Sequence, residues 1–205
     1  MTVIVDYGVG NLFSLKSSFS AIGEKAKVSS DASVIKAAER IVLPGVGAFS
    51  DASTKLHSSG LSDAIISAAK NGTPLLGICL GMQLLFDKSY EYGNYDGLGL
   101  IKGEVIAIPK KEGLKIPHIG WNALKICNSH PLFKYVKTGE YVYFVHSYYA
   151  KTSEEFTLAT TEYGTTLTAA VAHKNVMGCQ FHPEKSGDTG LKILKAFCET
   201  KGADK

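Results

Sequence analysis

The chain has 205 residues, 45% apolar, 20% charged and 10% aromatic, with 22 Lys and Arg against 19 Asp and Glu. This length fits one domain of roughly 100–200 residues whose core needs no disulfide or metal staple, and the composition excludes a disordered, collagenous or coiled-coil chain. A net charge of +3 is too small to predict a nucleic-acid partner, which calls for a clustered basic face.

The first half alternates strand and helix signals. Val3–Asp6 is an apolar run that predicts a buried strand. Leu12, Leu15, Phe19 and Ile22 recur at helical spacing and predict a helix over 12–22. Lys27-Val28 is a weak strand signal, and 33–39 predicts a short helix capped by Asp31 or Ser33. Residues 40–43 predict a strand that stops at Pro44-Gly45, followed by helices over 49–56 and 61–70. A strand over 74–79 runs directly into a helix over 80–86. Continuous apolar strands between helices predict a doubly wound, mostly parallel central sheet flanked by helices, an α/β fold.

The second half predicts short strands over 103–108, 121–126, 141–149, 156–161, 168–172 and 176–181, then a helix over 187–200. These strands form an antiparallel extension of the sheet, residues 90–98 form a loop, and the whole chain, 1–205, is expected to be one domain. No basic residue precedes Lys16, and the longest uncharged run, Asn71 to Phe86, is too short to span a membrane. A cytoplasmic chain is expected, with Cys79, Cys127, Cys179 and Cys198 as reduced thiols and neither metal nor cofactor.

Glycine exceeds background, 21 residues in all, against an average of about 7%. Three glycine segments fall at strand ends, where open α/β sheets bind ligands: 7–11, 44–49 and Gly77-Ile78-Cys79-Leu80-Gly81. The last has the form Gly-x-Cys-x-Gly between a strand and a helix. A nucleophile on so tight a turn needs tiny neighbours, and a helix N-terminus favours a thiolate. A dinucleotide fingerprint does not fit, since neither Gly8-Val9-Gly10 nor Gly45-Val46-Gly47 continues to a third glycine at the required spacing.

A thiolate that performs acyl transfer needs a proton shuttle. Among six histidines, His57 and His130 read as surface residues, His173 precedes a hairpin turn, and His118 reads as structural. His182 ends an apolar strand and is followed by Pro183-Glu184, so Cys79, His182 and Glu184 form a plausible triad. The Leu80 N–H suits an oxyanion hole, and the Gly45-Val46-Gly47 loop can supply a second donor.

These segments, with Pro117–Asn122, Tyr143–Tyr149 and His182–Gly187, resemble the class I triad glutamine amidotransferases, and among them the glutaminase subunits of imidazole glycerol phosphate synthases. The resemblance spans essentially the whole chain. It implies hydrolysis of L-glutamine to glutamate and ammonia, with ammonia passing in a heterodimer to a separate (β/α)8-barrel cyclase subunit of histidine biosynthesis. It further implies Cys79 as nucleophile, His182 as general base then acid, Glu184 as its orienter, and Val46 and Leu80 as oxyanion donors. Gly47, Gln83, His146, Ser147 and Tyr148 would hold the glutamine, and Asn11, Trp121 and Lys185 would face the cyclase. Core packing is the competing expectation for Trp121. Competing functions are a sister amidotransferase, a cysteine peptidase or redox sensor on a similar turn, and a silent scaffold subunit.

Overall fold

The computed structural model describes residues 1–200. β1 (Thr2–Val5), α1 (Leu12–Ala21), β2 (Ala26–Ser29), α2 (Ala32–Lys36) and β3 (Arg40–Leu43) follow one another, then α3 (Phe49–Ser58), α4 (Leu61–Lys70), β4 (Leu75–Ile78) and α5 (Leu80–Gln83). The second half carries β5 (Lys88–Ser89), β6 (Tyr95–Asp96), β7 (Glu104–Ala107), β8 (His118–Ala123), β9 (Lys125–Ile126), β10 (Tyr141–His146) and β11 (Tyr148–Lys151). β12 (Thr157–Glu162), β13 (Thr166–His173), β14 (Val176–Cys179) and α6 (Gly187–Cys198) complete the described elements, with single 3-10 turns at Pro131–Phe133 and Pro183–Lys185.

The main sheet has eight strands in the order β2-β1-β3-β4-β14-β13-β12-β9. β2, β1, β3, β4 and β14 pair in parallel, and β13, β12 and β9 extend the sheet antiparallel. Successive strand side chains point to opposite faces, and both faces are covered. Val3, Val5, Ile41, Leu43 and Leu75 pack with Phe49, Leu56 and Ile65 of α3 and α4. Ile4, Val42, Leu76 and Ile78 pack on the other face with Leu15 and Phe19 of α1 and Leu194 and Phe197 of α6. Each fully buried side chain of this size stabilises the fold by roughly 1.5–3 kcal/mol, which is why these strands read as unbroken apolar runs.

The extension is more divided than the sequence predicts. A two-stranded sheet pairs β10 with β8, and a four-stranded sheet runs β11-β7-β5-β6. The run expected as one strand over 141–149 breaks at Ser147, because β10 pairs with β8 while β11 pairs with β7. The strand expected over 121–126 starts at His118 and splits at Leu124, whose N–H donates to Glu140 C=O and whose own carbonyl accepts from Gly139. Residues 90–98 include the strand β6. The helix expected over 80–86 ends at Gln83, since the carbonyls of Leu84, Leu85 and Phe86 accept from Leu98, Leu100 and Gly99 instead of from the next helical turn. α2 stops three residues early, at Lys36, where the Glu39 N–H bonds Met1 C=O and draws the chain into β3. Asp31 caps α2 by accepting from the Ser33 N–H.

Candidate active site

Cys79 lies between β4 and α5 with φ +55° and ψ −112°, a conformation that is strained for a residue with a side chain. The turn is tight enough to demand both flanking glycines. A Cβ on Gly77 would come within 2.6 Å of Gly81 O, and one on Gly81 would overlap the Leu43 carbonyl oxygen. α5 is a single turn of four residues, so its dipole contributes much less to a thiolate than a full helix would. What it does supply is the Leu80 N–H, a first-turn donor without an intrahelical partner.

His182 follows β14 across the parallel pairing with β4, which brings it to the same sheet edge. Its backbone N–H donates to Tyr143 C=O at 2.9 Å, and its carbonyl accepts from Ser186 Oγ and the Lys185 N–H. The Glu184 carboxylate accepts from His182 Nδ1 at 2.8 Å, both side chains being almost fully buried. Nε2 of His182 is buried and has no protein partner. Burial alone pushes the imidazole down, but the Cys79 and Glu184 side chains beside it outweigh that and raise it to about 10.

Cys79 and His182 line one cleft of about 260 Å3, just below the usual range of roughly 300–1,000 Å3 for small-molecule sites. Val46, Gly47, Leu80, Gln83, His146, Ser147 and Tyr148 line the same cleft, while Glu184 does not line it and reaches it only through its bond to His182. The two amides of the cleft are tied together. Gln83 Nε2 donates to Tyr148 C=O and to Gln180 Oε1, each at 3.0 Å, and Gln180 Nε2 lies 3.7 Å from Cys79 Sγ. His146 Nδ1 also donates to Tyr148 C=O, at 2.8 Å, and its Nε2 lies 3.0 Å from Nδ1 of the buried His118. Burial holds His146 down at about 4, overcoming its bond to Tyr148, with His118 and His182 adding to the fall.

The sequence reading misses Glu91, Pro117 and Val145, which also line the cleft, and Gln180, which is fully buried beside the sulfur. Gln180 had a signal, as the one polar side chain in the apolar run 176–181. Glu91 had none, because it sits in an irregular segment. Its Oε2 accepts from the Phe49 N–H at 2.6 Å, and burial raises its carboxyl.

The three residues expected at a partner surface lie outside the cleft. Asn11 is the N-cap of α1, accepting from the Ser14 N–H. Trp121 is 51% exposed, which removes core packing as its role, and its ring meets Tyr143 edge-on at 6.0 Å. Lys185 Nζ lies 5.8 Å from the same Tyr143 ring. Among the described residues no cluster of His, Cys, Asp and Glu is arranged to hold a metal ion, and no helix is long and apolar enough to cross a membrane.

The family model for class I glutamine amidotransferases matches residues 3–200. Over 200 residues the chain is 52% identical to the imidazole glycerol phosphate synthase subunit HisH of Caldanaerobacter subterraneus, covering 97% of this chain and 98% of that protein. It is 51% identical to the protein of the same name from Methanosarcina acetivorans, with 96% and 97% covered. Its fold is similar to a crystal structure of a glutamine amidotransferase, with a TM-score of 0.74, 19% identity, and 96% and 98% of the two chains covered. It is equally similar to a chain of the PurLQS structure from Thermotoga maritima, with a TM-score of 0.73, 20% identity and 96% of each covered.

Proposed function

The chain belongs to the class I glutamine amidotransferases, and we propose that it works, as one domain over 1–205, as the glutaminase of an imidazole glycerol phosphate synthase. It hydrolyses L-glutamine in the cytoplasm and passes ammonia to a separate (β/α)8-barrel cyclase subunit of histidine biosynthesis. The observation that carries this reading is the cleft in which Cys79 on its strained turn meets the His182–Glu184 pair.

The residues support the following course. His182 takes the proton of Cys79 as the sulfur attacks the side-chain amide carbon of glutamine. The resulting oxyanion accepts hydrogen bonds from the Leu80 N–H and from the Val46 side of the 45–47 loop. The His182 imidazolium gives its proton to the leaving nitrogen, releasing ammonia and leaving a glutamyl thioester. Neutral His182 then takes a proton from water, which adds to the thioester, and glutamate departs as Cys79 is restored. Glu184 holds Nδ1–H throughout, so Nε2 stays the working atom.

The amino-acid end of glutamine has complementary partners. Glu91 gives the cleft a carboxylate for the ammonium group, and the backbone around Gly47, Ser147 and Tyr148 can bind the carboxylate. Gln83 commits both amide hydrogens to the protein, so only its Oε1 is left for substrate. Trp121 and Lys185 flank Tyr143, whose carbonyl holds the His182 backbone, which suits an ammonia-accepting partner docked there.

The test measures glutamate release by this chain alone, with the cyclase, and with cyclase plus its nucleotide substrate. Weak activity that rises strongly in the complete mixture is expected, with none from Cys79→Ala. Full activity in Cys79→Ala would overturn the mechanism.

A further inference from the structure

Gln180 has no role in the course above, yet it is fully buried and its amide lies against the reacting sulfur. Which end of that amide faces sulfur follows from counting hydrogens. The Tyr148 carbonyl can only accept, so the Gln83 end that reaches it must be the NH2 group. The same nitrogen lies 3.0 Å from the Gln180 amide, so its second hydrogen must meet oxygen there. Gln180 is then left with its NH2 group toward Cys79 Sγ, at 3.7 Å. The orientation is fixed by a main-chain carbonyl at the far end, with no freedom for either amide to flip.

We propose that Gln180 is a catalytic residue that donates an amide hydrogen to the Cys79 thiolate, and that Gln83 is the positioning residue that locks it in the donating orientation. The proposal rests on Cys79 being the nucleophile. On its other side the sulfur is 3.9 Å from Val145 C=O, an acceptor that favours the thiol and repels the thiolate. His182 supplies a charge, but its Nε2 must also serve the leaving nitrogen. Gln180 is a second, neutral donor that stays with sulfur when the proton on His182 moves away, so it steadies the thiolate expelled when the thioester is cleaved. This gives the fully buried Gln180 amide a use that packing alone does not require, since an apolar side chain there would avoid burying its two polar atoms.

The test is the rate of Cys79 alkylation by iodoacetamide between pH 5 and 9. The full chain is used in a Cys127→Ser background and read by mass spectrometry of the Cys79 peptide. Gln180→Glu keeps the shape and the acceptor for Gln83 but replaces the donating NH2 group by oxygen. Alkylation at neutral pH is expected to fall roughly three- to tenfold, and Gln180→Leu to fall by a similar factor. Gln83→Met, which frees the Gln180 amide to turn, is expected to lose part of the rate. Alkylation profiles of Gln180→Glu and wild type that superimpose, with both proteins folded by circular dichroism, would overturn the proposal. Because alkylation needs no glutamine, a chain that shows the expected fall but hydrolyses no glutamine even with the cyclase and its nucleotide would refute the glutaminase reading and leave the Gln180 assignment standing.

Discussion

Nδ1 of His182 and Oε1 of Glu184 are 2.8 Å apart although only Pro183 separates the two residues in the chain. The 3-10 turn at Pro183–Lys185 folds the carboxylate back beneath the ring, so the proposed orienter and shuttle come from one local motif and need no long-range packing to meet. Glu184→Gln keeps the shape but can offer an NH2 group to Nδ1, favouring the wrong tautomer. A loss of about 10²–10⁴ in kcat, with little change in KM, is expected from steady-state glutaminase assays.

Removing the sulfur changes the histidine. With Cys79 present, His182 is raised to about 10 despite burial. In Cys79→Ala only Glu184 opposes the burial, so the midpoint of His182 falls. Two-dimensional NMR of 15N-labelled histidine should show the His182 imidazolium at pH 8 in the wild type and a lower midpoint in the variant. An unchanged midpoint would show that the sulfur is not part of the pair.

His146 governs the acid limb of stability. Its folded-state value, about 4, lies below the ordinary 6.5 because burial disfavours the charge, and His118 is shifted the same way, with burial again the first cause. The unfolded chain therefore binds more protons between these values. Stability from the neutral ring is fully present above pH 6.5 and is lost as pH falls toward 4, by about 3 kcal/mol for His146. Urea unfolding at pH 7 and pH 4.5 should show the loss, and His146→Gln should flatten it.

The turn at Cys79 tolerates no added carbon on Gly77 or Gly81. In Gly81→Ala the new Cβ would overlap Leu43 C=O, which belongs to backbone and cannot swing aside. The variant should lose about 3 kcal/mol, roughly 6–12 °C in Tm for a chain of this size, together with most of its activity. Gly60, where a Cβ meets nothing within 4 Å, serves as a comparison. Its φ of +70° leaves backbone strain as the cost of Gly60→Ala, about 1–2 kcal/mol.

Trp121 is half-exposed and shares the Tyr143 ring with Lys185. Trp121→Ala should leave Tm within about 1 °C, as surface changes do, but weaken cyclase binding by about 2 kcal/mol if it is an interface anchor. Calorimetric titration with the cyclase measures this, and unchanged affinity would move the docking surface elsewhere.

The parallel core was legible because β1, β3 and β4 are buried on both faces, which leaves a continuous apolar signature at Val3–Val5, Ile41–Leu43 and Leu75–Leu76, whereas the edge strand β2 is partly exposed and left only a weak signal. The residues of the cleft were legible at the two ends of such strands, at Gly77–Gly81 and at His182–Glu184. The smaller sheets were not, because their strands are as short as two residues and are selected by pairing partners far away, as at Ser147 and Leu124. Glu91 escaped notice for the same reason, since only the tertiary approach of its segment to the N-terminus of α3 brings it to the cleft.

Tyr148 C=O accepts from both Gln83 and His146, which uses both of its lone pairs. β11 is thereby fastened crosswise to the segment that carries Cys79, although the two belong to different sheets. A slip of β11 by one residue along β7 would turn that carbonyl to the opposite side and release both donors at once. The alignment of that strand pair is thus tied, through Gln83 and then Gln180, to the surroundings of the Cys79 sulfur.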